Sequence, residues 1–177
     1  HMHGATLLDK NGEILHPCIL WNDTRSYKQA SILDKEENLR EITGNIVFPG
    51  FTAPKLLWIQ DNKPELFEQV AKVLLPASYL GYYLTGEFFM DMSDAAGTSW
   101  LDVGNRCWSE YALKASNMRS DQMPKLLEGT QVASSVSEFI ADELGIPSGV
   151  SVVAGAGDNA AAACGVGITK EGQGFVS

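Results

Sequence analysis

The first apolar run of the chain, residues 5–8, is followed after a polar stretch by a second one, residues 13–21, which is rich in Ile and Leu. The stretch between them ends in Asn11-Gly12, and this pair readily adopts the positive φ angles of a tight turn. Two apolar runs joined in this way are typical of antiparallel strands. The pattern therefore predicts a β-hairpin over residues 5–21.

Farther along the chain, apolar residues recur at helical spacing between turn residues. Ala30 and Leu33 would form the buried side of one helix, and Leu56, Leu57 and Ile59 that of another. Helices are predicted from 23 or 24 to about 37, from 53 onward, and over 64–71, 76–84, 109–116, 135–144 and about 159–165. Strands are predicted over 72–75, 149–154 and 174–177.

The helix predicted over 76–84 should end at Gly86, because glycine accepts the left-handed conformation of a helix C-terminus. Tyr79, Leu80 and Tyr83 have helical spacing, and we expect them to be buried. Residues 93–98 have small side chains, which let the backbone approach other backbone or a ligand closely. The mixture of strands and helices predicts an α/β domain.

The composition restricts the possible partners. Of the 177 residues, 45% are apolar and 20% are charged, enough for a hydrophobic core without disulfides or metals. Thirteen basic and twenty-two acidic residues give a net charge of −9, which disfavours nucleic acid and membrane surfaces as partners. No apolar stretch approaches the ~20 residues that span a bilayer. Cys18, Cys107 and Cys164 lack ligand spacing, and we expect them to be reduced core thiols of a cytoplasmic protein.

The strongest candidate for chemistry is the segment 152–163, where an apolar strand enters a glycine-rich turn and then an alanine-rich helix. Asp158 and Asn159 would stand at the N-terminus of this helix, beyond the carboxyl end of the strand, where open α/β sheets bind ligands. A carboxylate there can accept the proton of a sugar hydroxyl while the amide hydrogen-bonds the sugar. An alternative of equal weight is that Asp158 only caps the helix.

A second candidate is the segment 21–25, which combines Trp21 with Asp23 and Arg25. These side chains can frame a polyol, or else Asp23 caps the following helix and Arg25 forms a structural ion pair. No metal site is expected, because His1 and His3 have no third ligand nearby. The sequence also contains no Walker-type phosphate loop, dinucleotide fingerprint or nucleophile elbow.

Residues 50–62, with the sequence GFTAPKLLWIQDN, resemble the signature of the FGGY carbohydrate kinases, and this match is long and specific. The segments 2–9, 19–25, 43–45, 91–98 and 157–161 resemble, in order and spacing, bacterial members of the family that act on D-xylulose. The resemblance covers essentially the whole chain. It implies the ribonuclease-H-like (actin-like ATPase) fold, of which this chain would form part of the N-terminal lobe of a two-lobed sugar kinase.

The resemblance also implies roles for individual residues. Asp158 corresponds to the catalytic base, Asn159 to a residue that contacts the ketose, and Met2 and His3 to residues that line the sugar pocket. Glycerol kinases carry arginine and glutamate where this chain has Met2 and His3. The resemblance therefore implies a ketopentose as the substrate.

Other matched residues have less definite roles. Trp21, Asp23 and Arg25 belong to a family motif and are candidates for sugar binding, whereas Lys55 and Trp58 of the signature are expected to serve packing. The implied reaction transfers the γ-phosphate of ATP to the 5-hydroxyl of D-xylulose, with Mg²⁺ bridging the phosphates. The alternatives are a family member that acts on a related ketose or polyol, and a non-catalytic sugar-binding fragment.

The chain departs from the family pattern in what it lacks. The Asp-Leu-Gly-Thr turn that binds phosphate near the family's N-terminus has no counterpart, and neither do the second phosphate turn and the C-terminal ATP-binding domain. Residues 1–177 are therefore expected to form a partial sugar-binding N-terminal domain that holds no nucleotide or metal and has little turnover. The absent leading strands would expose an edge of the sheet, through which a homodimer could form.

Overall fold

The computed structural model describes residues 1–176, which form a mixed α/β structure. The strands are β1 (Thr6–Leu8), β2 (Lys72–Leu74), β3 (Phe89–Asp91), β4 (Leu101–Asp102), β5 (Cys107–Trp108), β6 (Lys125–Leu127), β7 (Val132–Ser135) and β8 (Ser151–Val153). The helices are α1 (Tyr27–Leu33), α2 (Leu39–Thr43), α3 (Thr52–Asn62), α4 (Pro64–Phe67), α5 (Pro76–Thr85), α6 (Met92–Ala95), α7 (Glu110–Ala115), α8 (Glu138–Leu144) and α9 (Asp158–Gly165).

The strands pair two by two. β1 with β2, β4 with β5 and β7 with β8 are antiparallel, whereas β3 and β6 are parallel. On its other side β1 makes two isolated bridges, Ala5 to Ile19 and Leu8 to Ile14. The predicted hairpin is thus present as a turn with Gly12 at φ +83° and a return segment that pairs only at these two points. Pro17 lies between them and has no N–H to add to the ladder.

The main hydrophobic core lies between β1, β2 and the helices α1, α3 and α7. It forms because each helix has apolar residues at helical spacing on one side, as Leu56 and Ile59 of α3 show. Ala30 and Leu33 of α1 are buried as predicted, and Leu57 is partly buried. A small separate cluster of Val136, Ile140 and Ala141 supports α8.

The helix bounds confirm some predictions and shift others. α5 runs from Pro76 to Thr85, and Gly86 follows it in the left-handed conformation, as predicted. α1 begins only at Tyr27, because the preceding residues form a turn in which the Arg25 amide donates to the Asp23 carboxylate at 2.9 Å. The predicted helix over 135–144 begins at Glu138, since β7 extends to Ser135.

Several predictions are wrong. Leu80 and Tyr83 of α5 are 57% and 45% exposed, because the helix packs through Gly81, where a Cβ atom would lie 2.5 Å from the Phe89 ring. Cys107 and Cys164 are exposed and not in the core. Residues 174–176 form no strand, and Ser177, the last residue of that predicted strand, lies outside the described residues.

The strands β3 to β7 and the helices α2 and α6 were not predicted from the sequence. Each of these elements is short, and several are too polar or too brief to show a period. No helix within residues 1–176 is both long enough and apolar enough to cross a membrane.

Candidate active site

A cavity of about 350 Å³ lies between the beginning of the chain and the N-terminus of α9. It is lined by His1, Met2, His3, Trp21, Asp158 and Asn159. A second cavity of about 250 Å³ shares three of these residues, Met2, His3 and Asn159, and extends the space toward Asn45 and Phe51. Five of the seven residues predicted from the sequence therefore meet at one place.

His3 is held in the cavity wall by contacts on several sides. Its ring packs edge-on against Phe51 with 4.9 Å between the ring centroids, and its carbonyl accepts a hydrogen bond from Thr52 Oγ1 at 3.2 Å. The ring also lies directly over Gly97, where any side chain would overlap it. Burial, and next the Lys55 ammonium, lower the pKa of His3. At neutral pH the ring is therefore neutral, with one donor and one acceptor nitrogen.

Lys55, a residue of the family signature, holds the turn whose Phe51 contacts the His3 ring. Its Nζ donates to the carbonyls of Pro49 at 3.0 Å, Phe51 at 2.8 Å and Gly50, which immediately precede α3. The side chain is fully buried, and this burial lowers its pKa to about 8. Lys55 thus satisfies the carbonyls of the turn that presents Phe51 to the His3 ring, a structural role, as expected from the sequence.

Asp158 is the first residue of α9, and Gly157 is the N-cap. The Asp158 side chain is exposed and makes no capping hydrogen bond. The alternative that Asp158 merely caps its helix is therefore not supported by the geometry. Asp158 lines the cavity together with Met2 and His3, and a carboxylate there can accept a proton or a hydrogen bond from a ligand.

The loop before Asp158 is held by backbone contacts. The Ala154 amide donates to the Gln131 carbonyl at 3.0 Å, and the Gly155 amide donates to the Gly129 carbonyl at 3.0 Å. Gly157 is buried, and a Cβ atom on it would lie 2.9 Å from Met2 Cε. Glycine at 157 therefore lets this loop come close to Met2.

Next to this loop lies a group of polar residues in the segment 91–98, to which the sequence analysis assigned no role as polar residues. The Asp91 carboxylate caps α6 by accepting hydrogen bonds from the amides of Ser93 at 2.8 Å and Asp94 at 3.0 Å. Asp94 is 1% exposed, and its Oδ1 has no partner within residues 1–176. Burial, and next the neighbouring Asp91, raise the pKa of Asp94 to about 7. In the sequence, an aspartate two residues before a serine is a helix-capping pattern that could have indicated α6.

Trp21 is 58% exposed and forms the rim of the cavity. Asp23 and Arg25 do not line it, and they form an ion pair with each other at 2.6 Å. The Arg25 guanidinium also stacks on Trp58, with its carbon 4.9 Å from the ring centroid. These contacts match the structural ion pair considered in the sequence analysis.

No group of three or more His, Cys, Asp and Glu side chains within residues 1–176 is arranged to hold a metal ion.

Comparison with known proteins identifies the family of the chain. A model of the N-terminal domain of the FGGY family of carbohydrate kinases matches residues 1–165. The chain belongs to this family of sugar kinases.

Xylulose kinases are among its relatives. The xylulose kinase of Escherichia coli strain K12 is 51% identical over 177 residues, which cover 99% of this chain and 36% of that protein. A solved xyloylose kinase from Brucella ovis is 55% identical with a TM-score of 0.89, over 93% of this chain and 34% of that one. The xylulose kinase of Rhodospirillum rubrum is 28% identical with a TM-score of 0.90, over 96% of this chain and 35% of that one.

These neighbours confirm the predicted actin-like ATPase fold. The chain spans about a third of the length of the curated relatives it matches.

Proposed function

We propose that this chain is the sugar-binding part of a kinase that transfers the γ-phosphate of ATP to the 5-hydroxyl of D-xylulose. The observation that carries this proposal is the cavity in which Met2 and His3 face Asp158 and Asn159. The identity of 51% to a xylulose kinase over the whole chain supports the choice of sugar.

In the proposed reaction, Asp158 orients the attacking hydroxyl and accepts its proton as the oxygen–phosphorus bond forms and ADP leaves. A carboxylate suffices, because a loose phosphoryl-transfer transition state requires proton removal only late. Asn159 can donate and accept hydrogen bonds with neighbouring hydroxyls, as can the neutral ring of His3. Met2 supplies an apolar wall next to Gly157.

Trp21 would cover one face of the sugar at the rim of the cavity. For Asp23 and Arg25 we propose an indirect part in sugar binding. Their ion pair fixes the turn that follows Trp21, since Arg25 both donates its amide to Asp23 and stacks on Trp58.

Kinases of this family use ATP, and we propose that Mg²⁺ accompanies it. The nucleotide and Mg²⁺ sites, with the C-terminal ATP-binding domain, would lie outside residues 1–177. The chain by itself would then bind sugar with little turnover, and a cytoplasmic location would suit the three free cysteines.

Phosphorylation is tested in a hybrid in which residues 1–177 replace the aligned segment of the Escherichia coli xylulose kinase. The hybrid should phosphorylate D-xylulose in preference to ribulose, gluconate and glycerol, measured as sugar-dependent ADP release. Preference for another sugar would show a family member with a different ketose or polyol substrate. A folded hybrid that binds ATP yet phosphorylates none of them would refute the proposed function.

Sugar binding is tested separately by calorimetric titration of D-xylulose into the 177-residue chain. Saturable binding that is lost in Asp158→Ala is expected if the cavity is the sugar site. Binding that persists unchanged in this variant would place the sugar elsewhere. Binding by the chain together with an inactive hybrid would favour the alternative of a non-catalytic sugar-binding protein.

A further inference from the structure

The segment that carries Asp158 is joined to α6 by one side chain. The Gly157 amide donates to Ser93 Oγ at 2.9 Å, although these residues are 64 positions apart in sequence. The same hydroxyl donates to the Asp91 carboxylate, which also accepts from the Ser93 amide. A chain of hydrogen bonds thus runs from the helix cap Asp91 through Ser93 to the residue just before Asp158.

The Ser93 hydroxyl both donates and accepts a hydrogen bond. It uses its hydrogen toward Asp91 and accepts with its oxygen from Gly157, so that the orientation of the hydroxyl is fixed. The acceptor Asp91 is itself buried and held in place by capping α6. An anionic acceptor polarises the hydroxyl and strengthens the bond that its oxygen accepts.

Apart from the Ala154 and Gly155 amides, which donate to Gln131 and Gly129 earlier in the loop, α9 has few other restraints at this end. None of its residues is buried, and the N-cap Gly157 receives no capping side chain from its own helix. The space around Gly157 is narrow, since a Cβ atom there would lie 2.9 Å from Met2 Cε and 3.4 Å from the Asp94 backbone. The hydrogen bond from Gly157 to Ser93 therefore sets where α9 begins relative to Met2 and His3.

We propose that Ser93 is a positioning residue that fixes Asp158 against the sugar pocket by holding the Gly157 amide. The proposal rests on the proposed function of Asp158 as the base. Ser93 lines the second cavity beside Met2 and His3, but its assigned action passes through Gly157 and requires no contact with the reacting hydroxyl.

The first test follows the Gly157 amide by NMR in the 177-residue chain. In Ser93→Ala its hydrogen exchange should be at least about tenfold faster, because the amide loses its acceptor. Ser93→Thr keeps the hydroxyl and should restore protection. Unchanged protection in Ser93→Ala would overturn the proposal. If Ser93→Ala does not fold, Ser93→Cys, of similar size but a weak acceptor, takes its place.

The matched control is Ser109→Ala. The Ser109 hydroxyl likewise accepts from a backbone amide, that of Ala112 at 3.2 Å, but Ser109 is the N-cap of α7. Its loss should leave exchange at Gly157 unchanged. If both alanine variants accelerate exchange equally, the effect is a general loss of stability and the positioning role is refuted.

The second test measures the hybrid kinase. Ser93→Ala should lower kcat about tenfold or more with a smaller change in KM, because misplacing the base affects the reaction more than sugar binding. Ser93→Thr should recover most of kcat. Equal kcat in Ser93→Ala and the parent hybrid would contradict the proposal. If the parent hybrid phosphorylates no sugar, the proposed function fails, and Gly157 exchange still decides whether Ser93 holds the loop.

Discussion

The two walls of the candidate site are built in different ways. Met2 and His3 lead into Ala5 and into Leu7 of β1, which belong to the main core, and the His3 ring is enclosed by Phe51 and Gly97. Asp158 instead stands on α9, in which no residue is buried. One wall is therefore fixed by packing and the other by a few hydrogen bonds. We therefore expect the wall of Met2 and His3 and the wall that carries Asp158 to respond differently to mutation.

The largest expected effect is on the rate. In the hybrid kinase, Asp158→Asn should reduce kcat about 10²- to 10⁴-fold, because an amide cannot accept the proton. The stability of the chain should change by less than about 0.5 kcal/mol, since the side chain is exposed and makes no capping bond. Steady-state kinetics and urea unfolding measure the two quantities.

Asp142→Asn is the control for that variant, because Asp142 is an exposed carboxylate on α8 that does not line the cavity. This variant should alter neither kcat nor the free energy of unfolding. A kcat of Asp158→Asn within threefold of the parent would remove Asp158 from the role of base.

The next largest effect is a pH dependence of the free energy of unfolding, which arises from the buried Asp94. Asp94, with a pKa of about 7 in the folded chain, keeps its proton where the unfolded chain, with an ordinary aspartate pKa near 4, has lost it. The folded state then binds more protons than the unfolded state between these two pKa values. The contribution of Asp94 to stability is thus intact below pH 4 and decreases, by on the order of 4 kcal/mol in total, up to pH 7.

The Asp94→Asn variant should lack this dependence, so its stability relative to the parent chain should rise as pH increases from 4 to 7. Asp91 and Asp158 raise the pKa of Asp94, whereas the amino terminus and the His3 amide lower it. Carboxylates elsewhere with lowered pKa values, such as Asp34, act in the opposite direction but cancel in the difference. A pH-independent difference in urea unfolding free energy would show that folding does not raise the pKa of Asp94.

A variant in the main core tests how much packing stabilises the region behind Met2 and His3. Leu56 is 0% exposed within the main core, and Leu56→Ala should lower the free energy of unfolding by about 3 kcal/mol through the lost contacts and the cavity left behind. Leu144→Ala is the matched change at an exposed position at the end of α8, and it should cost less than about 1 kcal/mol. Equal losses in urea unfolding would mean that the core behind Met2 and His3 is packed no more closely than an exposed helix end.

The sequence predicted those features that depend on residues close to one another along the chain. The ends of α5 followed from Pro76 and Gly86, and the position of Asp158 followed from a strand, a glycine-rich turn and a helix in succession. The predicted burial of Tyr83 failed because tertiary packing selected the Gly81 side of the helix, and a sequence period does not show which neighbour approaches.

The support beneath the site could not be predicted for the same reason. Ser93 and Gly157 are far apart in sequence, and their hydrogen bond exists only in the folded chain. Asp94 looked like one polar residue in a run of small ones, and its unpartnered oxygen is a consequence of burial. Conversely, Asp23 and Arg25 matched a motif by sequence, but they pair with each other outside the cavity.

The smallest expected effect tests how tightly the packed wall is set. In Gly97→Ala the new methyl group would overlap the His3 ring, so the ring must leave its present position in the cavity wall. Stability should fall by about 1 kcal/mol, as for a modestly overpacked site, and D-xylulose affinity by about tenfold, which corresponds to about 1.4 kcal/mol. Gly104→Ala is the control, because its methyl group would meet only Asp102 Oδ1 at an ordinary 3.6 Å. If calorimetry shows unchanged affinity in Gly97→Ala while stability falls, His3 is a packing residue and the sugar is held by the wall that carries Asp158 and Asn159.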